Sequence, residues 1–141
     1  MKLRVFADTA IFIYAFEFPE SNSAKIIELL NKGEIEVVIS ERVINEVSDY
    51  LKKFYNRELA YKFKRYLINS CILILESEIK NEMETLKGKI KEKDLSQIAT
   101  VRKYGIKYLI AFDRDFENFE EYYTPKKFLM MLHKNAREKD F

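Results

Sequence analysis

The stretch from Leu3 to Tyr14 constrains the fold more than any other part of the chain. An apolar run, Leu3 to Ala7, is broken only by Arg4; it stops at one carboxylate, Asp8, and a second apolar run follows at once. Such a run predicts a strand buried on both faces, the kind found in parallel sheets covered by helices. Ligands of those sheets bind in the crevice beyond the carboxyl ends of the strands, and Asp8 stands at that end. Asp is also a favoured helix N-cap, and a helix starting at Thr9 or Ala10 would use it so. The stretch alone leaves both readings open.

The rest of the chain alternates in the same way. Ser21 or Ser23 caps a helix carrying Ile26, Ile27, Leu29 and Leu30, with Gly33 at its stop. Ile35 to Ile39 is a second strand. Ser40 caps a helix whose apolar positions Val43, Val47, Tyr50, Leu51 and Phe54 follow the helical period. Asn56 interrupts, and Arg57 to Asn69 returns as the second arm of a helical hairpin. Cys71 to Leu75 is a third strand, Ile79 to Leu86 a helix, and Asp94 opens another that ends near Gly105. Tyr108 to Phe112 is a fourth strand, Tyr122-Tyr123 a short edge strand, and Thr124-Pro125 opens a last helix that extends over His133. The expected fold is α/β, three-layer α/β/α, with a central parallel sheet of four to five strands.

Composition narrows the setting. A chain of 141 residues, 48% hydrophobic and 34% charged, suits one globular domain over residues 1–141, with a core that needs no staples. A net charge of +2 is too small to argue for nucleic acid by itself, so any basic patch must be local. A single cysteine, Cys71, excludes an internal disulfide framework and suits a reducing compartment. Nothing near Met1 and Lys2 is long enough for a signal peptide or membrane span, so a soluble cytoplasmic protein is expected. Abundant Lys and Glu with one Gln, Gln97, lean towards a thermophilic source.

Most of the 23 acidic residues lie among lysines and read as solvated surface. Four ask for more. Asp8 ends the first strand, and Asp113 follows the fourth. Glu46 borders the apolar stripe of its helix at ~100° per residue, and Asp94 shares a ridge with Ile98 and Val101. Each has a plain alternative: Asp94 with Gln97 makes a capping-box pattern, Asp113 and Asp115 are ordinary turn residues, and Glu46 can pair along its helix. Together they can converge on one crevice at the carboxyl edge of the sheet. Carboxylates so close repel one another unless protons or cations intervene. Magnesium or manganese, hard cations taking oxygen ligands, is the natural partner, and metal-assisted phosphodiester hydrolysis is the chemistry such a site can run. Other chemistries are poorly supplied. One His and one Cys make no zinc set, no Ser–His–Asp order can be built, and Gly33, Gly88 and Gly105 stand too far apart for a phosphate loop.

The sequence resembles a PIN domain over nearly its whole length. The resemblance rests on Val5-Phe-Ala-Asp-Thr-Ala-Ile-Phe-Ile-Tyr-Ala15, on Ser40-Glu-Arg-Val-Ile-Asn-Glu46, on the block from Asp94 to Phe116, and on Thr124-Pro125 with Phe128-Leu129. It implies a parallel sheet flanked by helices and a metal-dependent nuclease, usually acting on RNA. Asp8, Glu46, Asp94 and Asp113 match the family's acidic quartet, which holds Mg2+ or Mn2+, and Asp115 matches a further acidic position. The short members most similar to this chain are the bacterial and archaeal VapC toxins, so the resemblance also implies a small antitoxin partner. Two departures stand out. Ala10 and Ala111 replace polar residues that orient ligands or water in many members. They support the rival reading, a non-catalytic PIN-like module that binds RNA or protein without cutting. Position 10 also excludes the Asp-x-Asp of haloacid-dehalogenase-type phosphatases, and Leu75-Glu76 excludes a receiver's phosphorylatable Asp.

Six basic residues, Lys52, Lys53, Arg57, Lys62, Lys64 and Arg65, are interleaved with Phe54, Tyr55, Tyr61, Phe63 and Tyr66. Such cations could neutralise RNA phosphates while the rings stack bases. The alternative is that the rings serve a core or an interface and the charges a solvated face. In related proteins this hairpin serves dimerisation, so a homodimer is the accompanying expectation.

Overall fold

The computed structural model describes residues 2–141. Five parallel strands form one sheet in the order β3-β2-β1-β4-β5: β1 Leu3–Ala7, β2 Ile35–Ser40, β3 Ile72–Ile74, β4 Tyr108–Ile110 and β5 Tyr122–Tyr123. The first strand is the central one. Val5, Phe6 and Ala7 are all fully buried, as expected of a strand covered on both faces.

Among the described residues there are seven α-helices, six between strands and α7 after the last: α1 Thr9–Glu17, α2 Asn22–Asn31, α3 Glu41–Phe54, α4 Arg57–Ser70, α5 Lys80–Leu86, α6 Leu95–Lys103 and α7 Pro125–Met131. The chain steps from β1 to β2 to β3 in one direction and then crosses back to β4 on the far side of β1. With right-handed crossovers, α1 to α4 cover one face of the sheet, and α5 and α6 cover the other. Packing agrees: α3 lies against α4 and α1, α2 against α1 and α7, and α5 against α6. The strand order therefore reverses between β1 and β4, which is where a sheet of this type opens a crevice.

Local chemistry starts the helices. The side chains of Ser21, Ser40, Asn56 and Thr124 accept from the backbone N–H of Ala24, Val43, Leu59 and Lys127, respectively. Gly33 follows α2 at φ +74°, a conformation that suits a residue without Cβ.

Three local expectations are corrected. Asp94 makes no capping bond; it has near-helical backbone at the end of a 3-10 turn, Glu92–Asp94, and its side chain is buried. His133 is not in α7. It follows the helix at φ 59° and closes it, its N–H donating to the Met130 carbonyl while the N–H of Lys134 donates to the Leu129 carbonyl. The fourth strand stops at Ile110, so Phe112 leaves the sheet and packs edge-on against Tyr14, ring centroids 5.2 Å apart.

Candidate metal centre

Asp8 is fixed by its place in the sheet. Its N–H donates to the Ile110 carbonyl at 3.0 Å, tying the end of β1 to the end of β4 at the reversal point. Its Oδ1 accepts from the N–H of Thr9 at 2.9 Å, so Asp8 does cap α1. Its Oδ2 takes no hydrogen bond among the described residues, so capping and facing the crevice are compatible. The buried amide of Gln97 lies 3.4 Å from Oδ1.

Glu46 reaches the same place from α3. Ser40 ends β2 and starts the helix, which carries Glu46 about 9 Å along its axis. Thr9 then ties the two elements, its hydroxyl donating to Glu46 Oε1 at 2.9 Å. Arg42, one turn earlier on α3, lies 3.8 Å from the same oxygen. Asp94, Asp113 and Asp115 approach from the other side of the sheet order. Each offers a carboxylate oxygen, and these oxygens all lie within 4.8 Å of one another. Asp8, Glu46, Asp94 and Asp113 line one cleft of about 470 Å³.

The electrostatics show what such a gathering costs. Burial pushes the Asp8 carboxyl up to about 6; the hydrogen bond from the Thr9 N–H opposes the shift, and the charges of Glu46 and Asp94 add to it, while the Gln97 amide is better oriented with its nitrogen donating to the Lys93 and Asp94 carbonyls. Asp94 is also raised, first by burial and then by Asp113. The outer part of the cluster is balanced by lysines. Lys93 bridges Asp113 at 2.8 Å and Asp115 at 3.2 Å, and Lys91 reaches Asp115 at 3.0 Å. These contacts hold Asp115 below the usual carboxylate range and raise the Lys93 ammonium, Asp113 being its main partner. An all-oxygen donor set with unbalanced negative charge at Asp8 and Asp94 fits a hard divalent cation.

Other expected residues fall elsewhere. None of Lys52, Lys53, Arg57, Lys62, Lys64 and Arg65 lines the cleft. Lys62 pairs with Glu58 at 3.2 Å, while Lys53 and Arg65 sit over the rings of Phe54 and Tyr61. The interleaved aromatics divide: Phe63 and Tyr66 pack against the core, whereas Phe54, Tyr55 and Tyr61 are exposed. Ala10 lines the cleft, but Ala111 is fully buried within the core. Sequence reasoning missed Thr9, Arg42, Gln97 and the lysine pair, as well as a wall formed by Ile13, Tyr14, Tyr50 and Phe112. Thr9 and Lys93 could have been flagged as chain neighbours of Asp8 and Asp94. The wall leaves no local signal, because its residues come from three separate stretches.

A family model described as PIN domain matches residues 5–122, and the chain belongs to that family. Solved structures share the fold. A chain of a toxin–antitoxin complex from Klebsiella pneumoniae is 22% identical, covers 86% of this chain and 97% of its own, and superposes with a TM-score of 0.68. VapC20 of Mycobacterium tuberculosis, a Sarcin-Ricin loop cleaving toxin, is 19% identical over 80% of this chain and 92% of its own, with a TM-score of 0.57. A chain of VapBC2 from Rickettsia felis, bound to a DNA fragment from its promoter, is 18% identical over 82% and 91%, with a TM-score of 0.57. Among curated proteins, none matches the chain at a significant level. Among the described residues, no helix is long and apolar enough to cross a membrane.

Proposed function

We propose that this protein is an endoribonuclease that hydrolyses RNA phosphodiester bonds with Mg2+ or Mn2+. One observation carries the reading: Asp8, Glu46, Asp94 and Asp113, from four separate stretches, line a single cleft at the strand-order reversal. Those four would hold the cation, with Asp115 assisting from the rim. Bound there, a divalent cation supplies a more acidic water and offsets charge on the phosphate oxygens. The chain does the rest. Thr9 holds Glu46 in place through its hydroxyl. Arg42 and Lys93 line the cleft and bring positive charge to phosphate oxygens.

The reading extends to the toxin of a toxin–antitoxin pair, acting in the cytoplasm, opposed by a small antitoxin and assembled as a homodimer. Its support is the company the fold keeps and the exposed aromatics of the α3–α4 hairpin. The non-catalytic alternative draws on Ala10 and on the lysines already seated on Asp113 and Asp115.

A cleavage assay separates the two. Purified protein with Mn2+ should cut single-stranded RNA, and Asp94→Asn should lower the rate at least about 100-fold. Binding of RNA without cutting, under broad metal and pH conditions, favours the alternative.

A further inference from the structure

The cleft that gathers the four carboxylates has a second wall of different chemistry. Tyr14, on α1, meets Phe112 edge-to-face and is backed by Phe18 and Phe141, whose centroids lie 5.9 and 5.3 Å away. Tyr50, on α3, packs on Phe54 at 4.6 Å. Glu17, at the end of α1, lines the same cleft. Its Oε2 accepts from the hydroxyls of Tyr50 at 2.8 Å and Tyr55 at 2.9 Å. Its Oε1 takes no hydrogen bond among the described residues.

Neither the rings nor Glu17 suits a phosphate. The ring faces give an anion no donor, the Tyr50 hydroxyl is already committed to Glu17, and a carboxylate repels an anion. Both suit a base. Aromatic rings stack nucleobases, and single-stranded RNA is read by hydrogen bonds to base edges beside such stacks. A carboxylate accepts only, so it selects donors. Guanine presents two adjacent N–H donors on its pairing edge. Uracil presents one, flanked by two carbonyl oxygens that a carboxylate repels. The cleft, at about 470 Å³, is within the size range of small-ligand sites.

We infer that Tyr14, Tyr50, Phe112 and Glu17 form a nucleobase subsite next to the acidic cluster, in which Glu17 Oε1 selects amino-bearing bases, guanine first and uracil last. The subsite rests on the ribonuclease reading of that cluster, because it places the base beside the phosphate to be cut.

Two measurements test it. The first needs no metal and no cleavage: guanosine and uridine 5′-monophosphate are titrated against the full chain and followed by NMR shifts of the tyrosine rings. Guanosine monophosphate should bind about tenfold more tightly, a difference Glu17→Gln removes or inverts because its amide donates to uracil's carbonyls. Tyr14→Leu should weaken both nucleotides and leave their ratio intact; thermal melting confirms that each variant folds. The second maps cut sites in a random single-stranded RNA with Mn2+. Guanine should be enriched beside the cut in the parent and not in Glu17→Gln. Cleavage with no base preference, or equal binding of the two nucleotides, overturns the subsite and leaves the ribonuclease reading standing. Selective guanosine monophosphate binding with no cleavage keeps the base pocket and removes the ribonuclease reading.

Discussion

Asp8 spends one of its two oxygens on a helix cap. Oδ1 caps α1, while burial and the neighbouring Glu46 and Asp94 hold its carboxyl at about 6. The sign of the consequence is fixed. A carboxyl with a higher pKa folded than unfolded binds its proton more tightly in the fold, so stability falls as pH rises from about 4 through 6. Without divalent cations, Asp8→Asn should stabilise the fold at pH 7 by up to about 3 kcal/mol, with little effect below pH 4. Denaturant unfolding across that window measures it, and added Mn2+ should stabilise the parent but not the variant. Lys93 gives a second prediction. Its ammonium sits 2.8 Å from Asp113, where a cation would compete with it. Lys93→Met should tighten Mn2+ binding about two- to fivefold by calorimetry, the scale of an exposed ion pair.

Beyond the hydrophobic core, caps and the buried amide of Asn22 tie the elements together. Asn22 is fully buried at the start of α2. Its Nδ2 donates to the carbonyls of Arg137 and Lys139, at 3.2 and 2.6 Å, and its Oδ1 accepts from the N–H of Arg137 at 2.7 Å. Asn22→Ala removes three contacts that hold the 135–141 segment against α2. It should cost about 2 kcal/mol in thermal or chemical unfolding and speed proteolysis after Lys134. Ser40→Ala, which removes the cap that starts α3, should cost about 1 kcal/mol. At this scale the sequence was largely legible, because strand runs and caps are local: Leu3–Ala7, Ser40 and Thr124-Pro125 each act within a few residues, whereas Asn56 read only as a break between helices and proves to cap α4. For Asp94 the cap alternative, suggested by Gln three residues on, is the one that fails: its side chain makes no capping bond and lies in a cluster with Asp113, nineteen residues away in the chain. His133 misled because nothing nearby marks a helix that closes on a residue other than glycine.

For the whole molecule, convergence of the four acids depends on strand order. Only with β4 beside β1 does Asp113 come to the same crevice as Asp8. The alternation of strands and helices implied a parallel sheet, and the resemblance pointed to the quartet, but no local pattern states that order. The ring wall of Tyr14, Tyr50 and Phe112 is likewise a product of the assembled fold. So is the separation of the α3–α4 cations from the cleft, which weakens them as direct contacts to the scissile phosphate. The hairpin's exposed Phe54, Tyr55 and Tyr61 suit the homodimer reading. Light scattering should then give a dimer mass for the parent, and Tyr61→Asp should shift it to monomer.

The proposed role of the cleft between β1 and β4, as a cation-dependent site for cutting RNA, is open to direct assay. Its most direct test follows a 5′-labelled single-stranded RNA with the parent and with Asp8→Asn and Asp94→Asn, in Mn2+ and in chelator. The parent should cut in Mn2+ and not in chelator, and either variant should lose at least about 100-fold. Undiminished cutting in chelator, or by either variant, would contradict it.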